Sequence, residues 1–257
     1  MKKIVLWILG ISLVCLGIGF AIISYEGGFR VKQKNIDISK TASIDDVETI
    51  NITTSSADVI ISPSNNNEIL LRYFGEMKSN NKNEPEVKIN KVGSDLDITS
   101  GMPESSLYTI LTGFKLEIKI PTSYSKNITI KSDSGNLEAD SLILEEITGS
   151  TTRGNIDLTN CKSKENVNTD SGNIKIVDSL LENNREIKTS SGDVNLFLPK
   201  DSSFGLTFNT DSGVISDLFG LSIRQNTGKN ITAAAGDNKY NISVKTTSGN
   251  LNINKNN

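Results

Sequence analysis

The stretch "VNTDSGNIKI" (Val167–Ile176) recurs with small changes as "IKSDSGNLEA", "STTRGNIDL", "IKTSSGDVNL", "FNTDSGVIS" and "VKTTSGNLNI". Aligned on their glycines (Gly135, Gly154, Gly172, Gly192, Gly213 and Gly249), the copies step by 19, 18, 20, 21 and 36 residues. A period near 20 is too short for a pair of helices and suits one coil of a β-solenoid, in which each repeat buries its apolar face against the next. The last gap is close to two steps, so a degenerate copy is expected inside it.

Within a copy the spacing is that of strands. Two residues after the glycine stand Leu137, Ile156, Ile174, Val194 and Leu251, with Ile215 expected to slip by one. Four after it come Ala139, Leu158, Ile176, Leu196 and Ile253, and five before it Ile130, Val167, Ile187, Phe208 and Val244. Polar residues fill the gaps, so each coil reads as two short strands with one face inward. The glycine lies between the strands and is followed by Asn136, Asn155, Asn173, Asp193 or Asn250. A tight reversal through a left-handed residue would favour that pair, and Gly172 is expected to adopt such a conformation. Three before the glycine stand Ser132, Thr151, Thr169, Thr189, Thr210 and Thr246, which read as an inward ladder bonding backbone groups.

Residues 4–23, "IVLWILGISLVCLGIGFAII", carry no charge. As a helix, 20 apolar residues reach across a bilayer core of about 30 Å. A cleaved signal peptide would have a shorter apolar core and a small-x-small site, and "AIISYEGG" offers none of good quality, so an uncleaved anchor is the reading. Basic residues nearly balance across the segment, with Lys2 and Lys3 before it and Arg30, Lys32 and Lys34 after it. The short amino-terminal tail is then placed in the cytoplasm, and the polar domain outside the cell membrane.

The expected organisation is an anchor over residues 1–24, a polar juxtamembrane spacer over 25–42, and one domain over 43–257. Its part 43–125 is irregular, reading as a cap or a wider section, and 126–257 holds the regular coils. In the irregular part, "TTSSADVII" is a copy with Ala57 in place of glycine, and 101–113 reads as a loop. "YTILTGF" (Tyr108–Phe114) and "DLFGLSI" (Asp217–Ile223) read as apolar loops over the ends of the stack. The fold class is all-β: a β-solenoid or parallel β-helix-like repeat of about 18–21 residues per coil, behind one N-terminal transmembrane helix.

The order "VETINITTSSADVIISPSNNNEILLRY", "LEIKIP", "SDSGNLEA", "TSSGDVNLFLP" and the closing "YNISVKTTSGNLNI" resembles the bacterial putative-adhesin family, a domain of unknown function in envelope proteins. A short tail, one anchor and this domain are similar to its LiaG-like members. The resemblance spans about residues 43–257. It implies an envelope protein, in some cases tied to stress signalling, and it brings no catalytic residues.

The chain contains no histidine, which excludes Ser-His-Asp and Cys-His nucleophiles and the commonest metal ligand. GxxxxGK[ST], CxxC and GGxGxD motifs are also missing, so no cofactor or metal is expected. A net charge of −3 lacks the basic stripe that nucleic acid would need. Of the two cysteines, Cys15 falls in the anchor and Cys161 reads as a small buried corner residue.

One polar constellation remains. Asp133, Asp170 and Asp211 sit two before their glycines, on alternate coils, with Arg153 between the first two. At about 4.8 Å per coil the carboxylates would be roughly 10 Å apart, too far for a glycosidase pair or a calcium shell. They read as a structural corner first and as a weak cation or glycan contact second. The leading function is therefore non-enzymatic: an anchored β-solenoid offered to an envelope polymer, a membrane-protein partner or adhesion. The alternatives are a carbohydrate-active lyase or hydrolase built on Asp133, Arg153 and Asp170, and a self-assembling scaffold.

Overall fold

The computed structural model describes Trp7, Gly10 and residues 12–18, 32–79, 83–102 and 109–256. Most of the 4–23 segment lies outside the described residues; 12–18 are helical, and no described helix is long and apolar enough to cross a membrane.

The rest is all-β. The N-terminal strands are β1 (Lys32–Ser43), β2 (Thr49–Thr54), β3 (Asp58–Ser64), β4 (Glu68–Ser79), β5 (Glu86–Val92), β6 (Asp95–Gly101) and β7 (Thr109–Pro121). The regular repeat supplies β8 (Asn127–Ser132), β9 (Leu137–Asp140), β10 (Ile143–Thr151), β11 (Ile156–Thr159), β12 (Lys162–Thr169), β13 (Ile174–Val177), β14 (Arg185–Thr189) and β15 (Val194–Pro199). The C-terminal strands are β16 (Phe204–Asn209), β17 (Ile215–Asp217), β18 (Ser222–Asn226), β19 (Asn230–Ala235), β20 (Tyr240–Thr246) and β21 (Leu251–Asn256).

Each coil gives one strand to each of two sheets. The first sheet runs β1-β4-β7-β3-β9-β11-β13-β15-β21-β17, and the second β18-β19-β16-β20-β14-β12-β10-β8-β2-β6-β5. Neighbouring coils pair in parallel and in register, so like residues stack: Val59, Leu137, Ile156, Ile174, Val194 and Leu251 form one inward row. Every member of that row is at most 1% exposed. Full burial of such side chains stabilises by about 1.5–3 kcal/mol each, and these rows are the core between the sheets. Ile215 does not slip; it pairs directly with Leu251.

Spatial order departs from chain order at both ends. The coil β2–β3 stacks on β8–β9, and the intervening β6–β7 lies outside it. Likewise β20–β21 inserts between β14–β15 and β16–β17. The gap of 36 residues therefore holds no degenerate coil. It holds β19, which adds antiparallel to β16, and β18, which adds antiparallel to β19, and then the return to the inserted coil.

At the other end β4 adds antiparallel to β7 and β1 antiparallel to β4, while β5 adds antiparallel to β6. Antiparallel end strands change the edge that the next parallel coil would need, which blocks simple continuation of the stack. Residues 32–42, read from sequence as part of a spacer, thus belong to an edge strand. From Thr109 onward the expected loop is strand β7, and Tyr108 lies outside the described residues. In "DLFGLSI", Phe219 folds back edge-on to Phe204 with ring centroids 5.4 Å apart.

Candidate functional site

The corner column explains the repeat, by a different cause from the one expected. None of Gly135, Gly154, Gly172, Gly192, Gly213 and Gly249 has a positive φ. Instead, a Cβ on Gly172 would lie 1.8 Å from the carbonyl oxygen of Gly154, and one on Gly192 would lie 1.7 Å from that of Gly172. Successive corners approach so closely that only hydrogen fits between the backbones.

The residue after each glycine builds a second ladder. Asn155 N donates to Asn136 Oδ1 at 2.9 Å, Asn173 N to Asn155 Oδ1 at 2.8 Å, Asp193 N to Asn173 Oδ1 at 2.8 Å, and Asn250 N to Asp193 Oδ1 at 2.8 Å. The ladder ends at Val214, whose amide donates to Asn250 Oδ1 but whose side chain accepts nothing. The inward hydroxyls close the bend as the sequence suggests: Thr169 Oγ1 accepts from Gly172 N at 3.1 Å and donates to Gly154 O at 2.9 Å.

The structure does not gather Asp133, Arg153, Asp170 and Asp211 into one cluster. Arg153 Nη2 donates to Ser134 Oγ at 2.6 Å, and no ion pair joins it to Asp133 or Asp170. Asp211 pairs with Lys229 at 3.4 Å, both side chains being exposed. The inserted coil places Asp211 three coils from Asp170 instead of two. Of these residues, Asp133 lines a concavity.

That concavity is a groove of about 520 Å³ at the N-terminal end of the corner column, on the outside of the second sheet. Lys88, Thr99, Thr53, Lys131 and Ser150 stand side by side on β5, β6, β2, β8 and β10 and line it together with Asp133. The same outward row continues as Asn168, Lys188 and Lys245. Lys88 pairs with Glu86 at 2.7 Å and Lys188 with Glu186 at 2.5 Å, whereas Lys131 and Lys245 have no ion pair among the described residues.

Sequence reading missed a second polar feature, inside the core. Seven residues before the glycines, the inward row reads Ile128, Ile147, Glu165, Arg185, Ile242 and Leu206. Glu165 and Arg185 face each other on adjacent coils with Nε to Oε2 at 2.7 Å, and a second Arg185 nitrogen bonds Asp178 Oδ2. All three side chains are at most 1% exposed. Both Glu165 oxygens, Asp178 Oδ1, Arg185 Nε and the nearby Ser163 Oγ lack hydrogen-bond geometry to any partner among the described residues.

Burial pushes the Glu165 carboxyl up to about 7 against the pull of Arg185, with Asp178 adding to the rise. Burial likewise raises Asp178, again opposed by Arg185. The adjacent Cys161 thiol is raised to about 12, chiefly by burial, so it stays protonated and unreactive. The signal was present in the aligned copies: one apolar column broken by opposite charges on consecutive coils.

With this geometry in view, the sequence matches the model of the Toastrack family (DUF4097) over residues 47–185 and 150–254, and the chain belongs to that family. No curated protein matches it. Among solved structures it is similar to a putative cell adhesion protein from Clostridium sporogenes, at 17% identity and TM-score 0.47, over 87% of this chain and 100% of that one. A putative adhesin from Bacteroides fragilis aligns at 12% identity and TM-score 0.42, over 85% and 97% of the two chains. A putative lipid binding protein from Parabacteroides distasonis aligns at 11% identity and TM-score 0.37, over 86% and 97%.

Proposed function

We propose that this chain is a non-enzymatic protein of the bacterial cell envelope, held in the membrane by residues 4–23. In this reading it presents its β-stack outside the cell, to an envelope polymer or to a partner membrane protein. A short tail, an anchor and a β-domain resemble the LiaG-like layout, and a role in envelope stress is part of the proposal.

The observation that carries the reading is the outer face of the second sheet. Parallel, in-register pairing repeats the outward positions at about 4.8 Å intervals. One row holds Thr53, Lys131, Ser150, Asn168 and Lys188, and the row beside it Asn51, Thr129, Thr148, Asn166 and Glu186. These are short or extended hydrogen-bonding groups on a rigid lattice, so a polymer laid along them would meet ordered donors and acceptors with little further ordering cost.

Sedimentation of the full-length chain, held in nanodiscs, with purified cell-wall sacculi tests the proposal. Co-sedimentation that weakens in a Lys131→Glu/Lys245→Glu variant is expected. A chain that stays in the supernatant at every wall concentration contradicts the polymer arm, and a pull-down from solubilised membranes then decides the protein-partner arm.

A further inference from the structure

We propose that the groove at the end of the corner column is a binding site for a neutral glycan segment; this rests on the polymer-binding reading above and specifies its ligand. The argument starts from the hydroxyl ladder. In every regular coil the inward Ser or Thr accepts from the amide three residues ahead: Ser132 from Gly135, Thr151 from Gly154, Thr189 from Gly192, Thr210 from Gly213 and Thr246 from Gly249. Thr54 does the same for Ala57 at 3.3 Å. Ser100 occupies this column on the outermost coil, in register with Thr54, but residue 103 is proline, which has no amide hydrogen to give. Ser100 is 4% exposed, and its Oγ has no hydrogen-bond partner among the described residues. It lines the groove.

A buried hydroxyl without a partner is destabilising, and such groups in native proteins call for an explanation. A ligand in the groove would supply the missing bond. The lining defines its class. Thr53, Thr99 and Ser150 offer hydroxyls that both donate and accept, while the charges of Lys88 and Lys131 are equalled in number by those of Glu86 and Asp133. Two cations against two carboxylates give no net attraction for a polyanion, and no aromatic ring stands among the described lining residues to take an apolar ligand. Mixed donors and acceptors without net charge suit the hydroxyl edges of a sugar. A volume of about 520 Å³ falls within the range of about 300–1,000 Å³ typical of small-ligand sites.

The full-length chain in nanodiscs is titrated calorimetrically with three probes: an N-acetylglucosamine tetramer, a glucose tetramer and a heparin tetrasaccharide. Saturable binding of a neutral tetramer is expected, with heparin at least tenfold weaker. Ser100→Ala removes a hydroxyl that no described group uses, so melting should be unchanged or higher while glycan affinity falls by about 2–12-fold, the range for one hydrogen bond. Thr53→Val/Thr99→Val, on the solvent side of the strands, should weaken binding at least tenfold with the fold intact, and Lys175→Ala, on an exposed position of the first sheet, should leave it unchanged. Failure of both neutral tetramers to bind, tighter binding of heparin, or affinity within twofold of wild type in Thr53→Val/Thr99→Val overturns the assignment. If sacculi still sediment the chain in that event, the groove is wrong and the wider polymer-binding reading stands; if they do not, the groove and the polymer arm both fall.

Discussion

Two columns run through the same coils and obey different rules. In the corner column glycine recurs in all six regular copies, because each backbone carbonyl sits where the next coil's Cβ would be, 1.7–2.0 Å away. Seven residues earlier, the inward column accepts Ile, Leu, Glu and Arg in the same row. A contact between two backbones has no side chain left to vary, so it can be met in one way only. A contact between two side chains can be met pairwise, and Glu165 with Arg185 is such a solution at the cost of desolvating three charges. Strict repetition in a stacked fold therefore marks backbone proximity, and broken repetition marks compensated pairs.

The sharpest way to break the comparison is to give the corner a side chain. Gly172→Val should destabilise by more than about 4 kcal/mol, among the largest single-residue effects, since the obstacle is a main-chain carbonyl that cannot rotate away. Guanidinium unfolding of the full-length chain in detergent micelles measures it. In the interior column the largest loss should come from removing the shared cation. Arg185→Met strands Glu165 and Asp178 without a counter-charge and should cost about 3–5 kcal/mol. Restoring an apolar row with Glu165→Ile/Asp178→Asn on that background should recover most of the loss, whereas no second substitution within the corner column should rescue Gly172→Val.

The interior column also predicts a pH dependence. Glu165 titrates near 7 in the folded chain against an ordinary value of 4.5, so the unfolded chain gives up its proton first. Stability from this group is complete below about pH 4.5, declines as pH rises towards about 7, and is flat above that. Asp178, also raised, contributes in the same direction from a lower starting pH. Glu165→Gln should remove much of the decline, read as the difference in unfolding midpoint between pH 5 and pH 8. A wild-type chain that grows more stable over this interval, with Glu165→Gln unchanged, would contradict the burial account. The smallest effect is expected outside both columns: Asp170→Asn at the exposed corner should stay within about 0.5 kcal/mol by the same unfolding assay.

Much of this was legible in the sequence. Period-2 alternation around the glycines placed Ile174, Ile176 and Ile187 inward, and Thr169 in the ladder, because alternation is a local consequence of strand geometry. The reason for the glycine was not legible, since a left-handed turn and a close backbone approach demand the same residue. Nor was the order of the last two coils. Nothing local in "YNISVKTTSGNLNI" says that it inserts between the coils of Gly192 and Gly213 rather than following the latter. The groove depends on residues from five strands brought together by the displaced order of the N-terminal coils, and Ser100 became visible as an exception only once its register with Thr54 was known.

The account rests on glycine serving proximity rather than conformation, and the chain contains its own control. Gly220 has φ +80° and open space around its Cβ position, whereas Gly172 has no left-handed φ and a carbonyl 1.8 Å away. Alanine at Gly220 should cost about 1–2 kcal/mol, the ordinary penalty of a left-handed residue with a side chain. Alanine at Gly172 should cost at least twice as much in the same guanidinium titration of the full-length chain. Equal losses at the two positions, or a larger one at Gly220, would show that the corners do not touch as described.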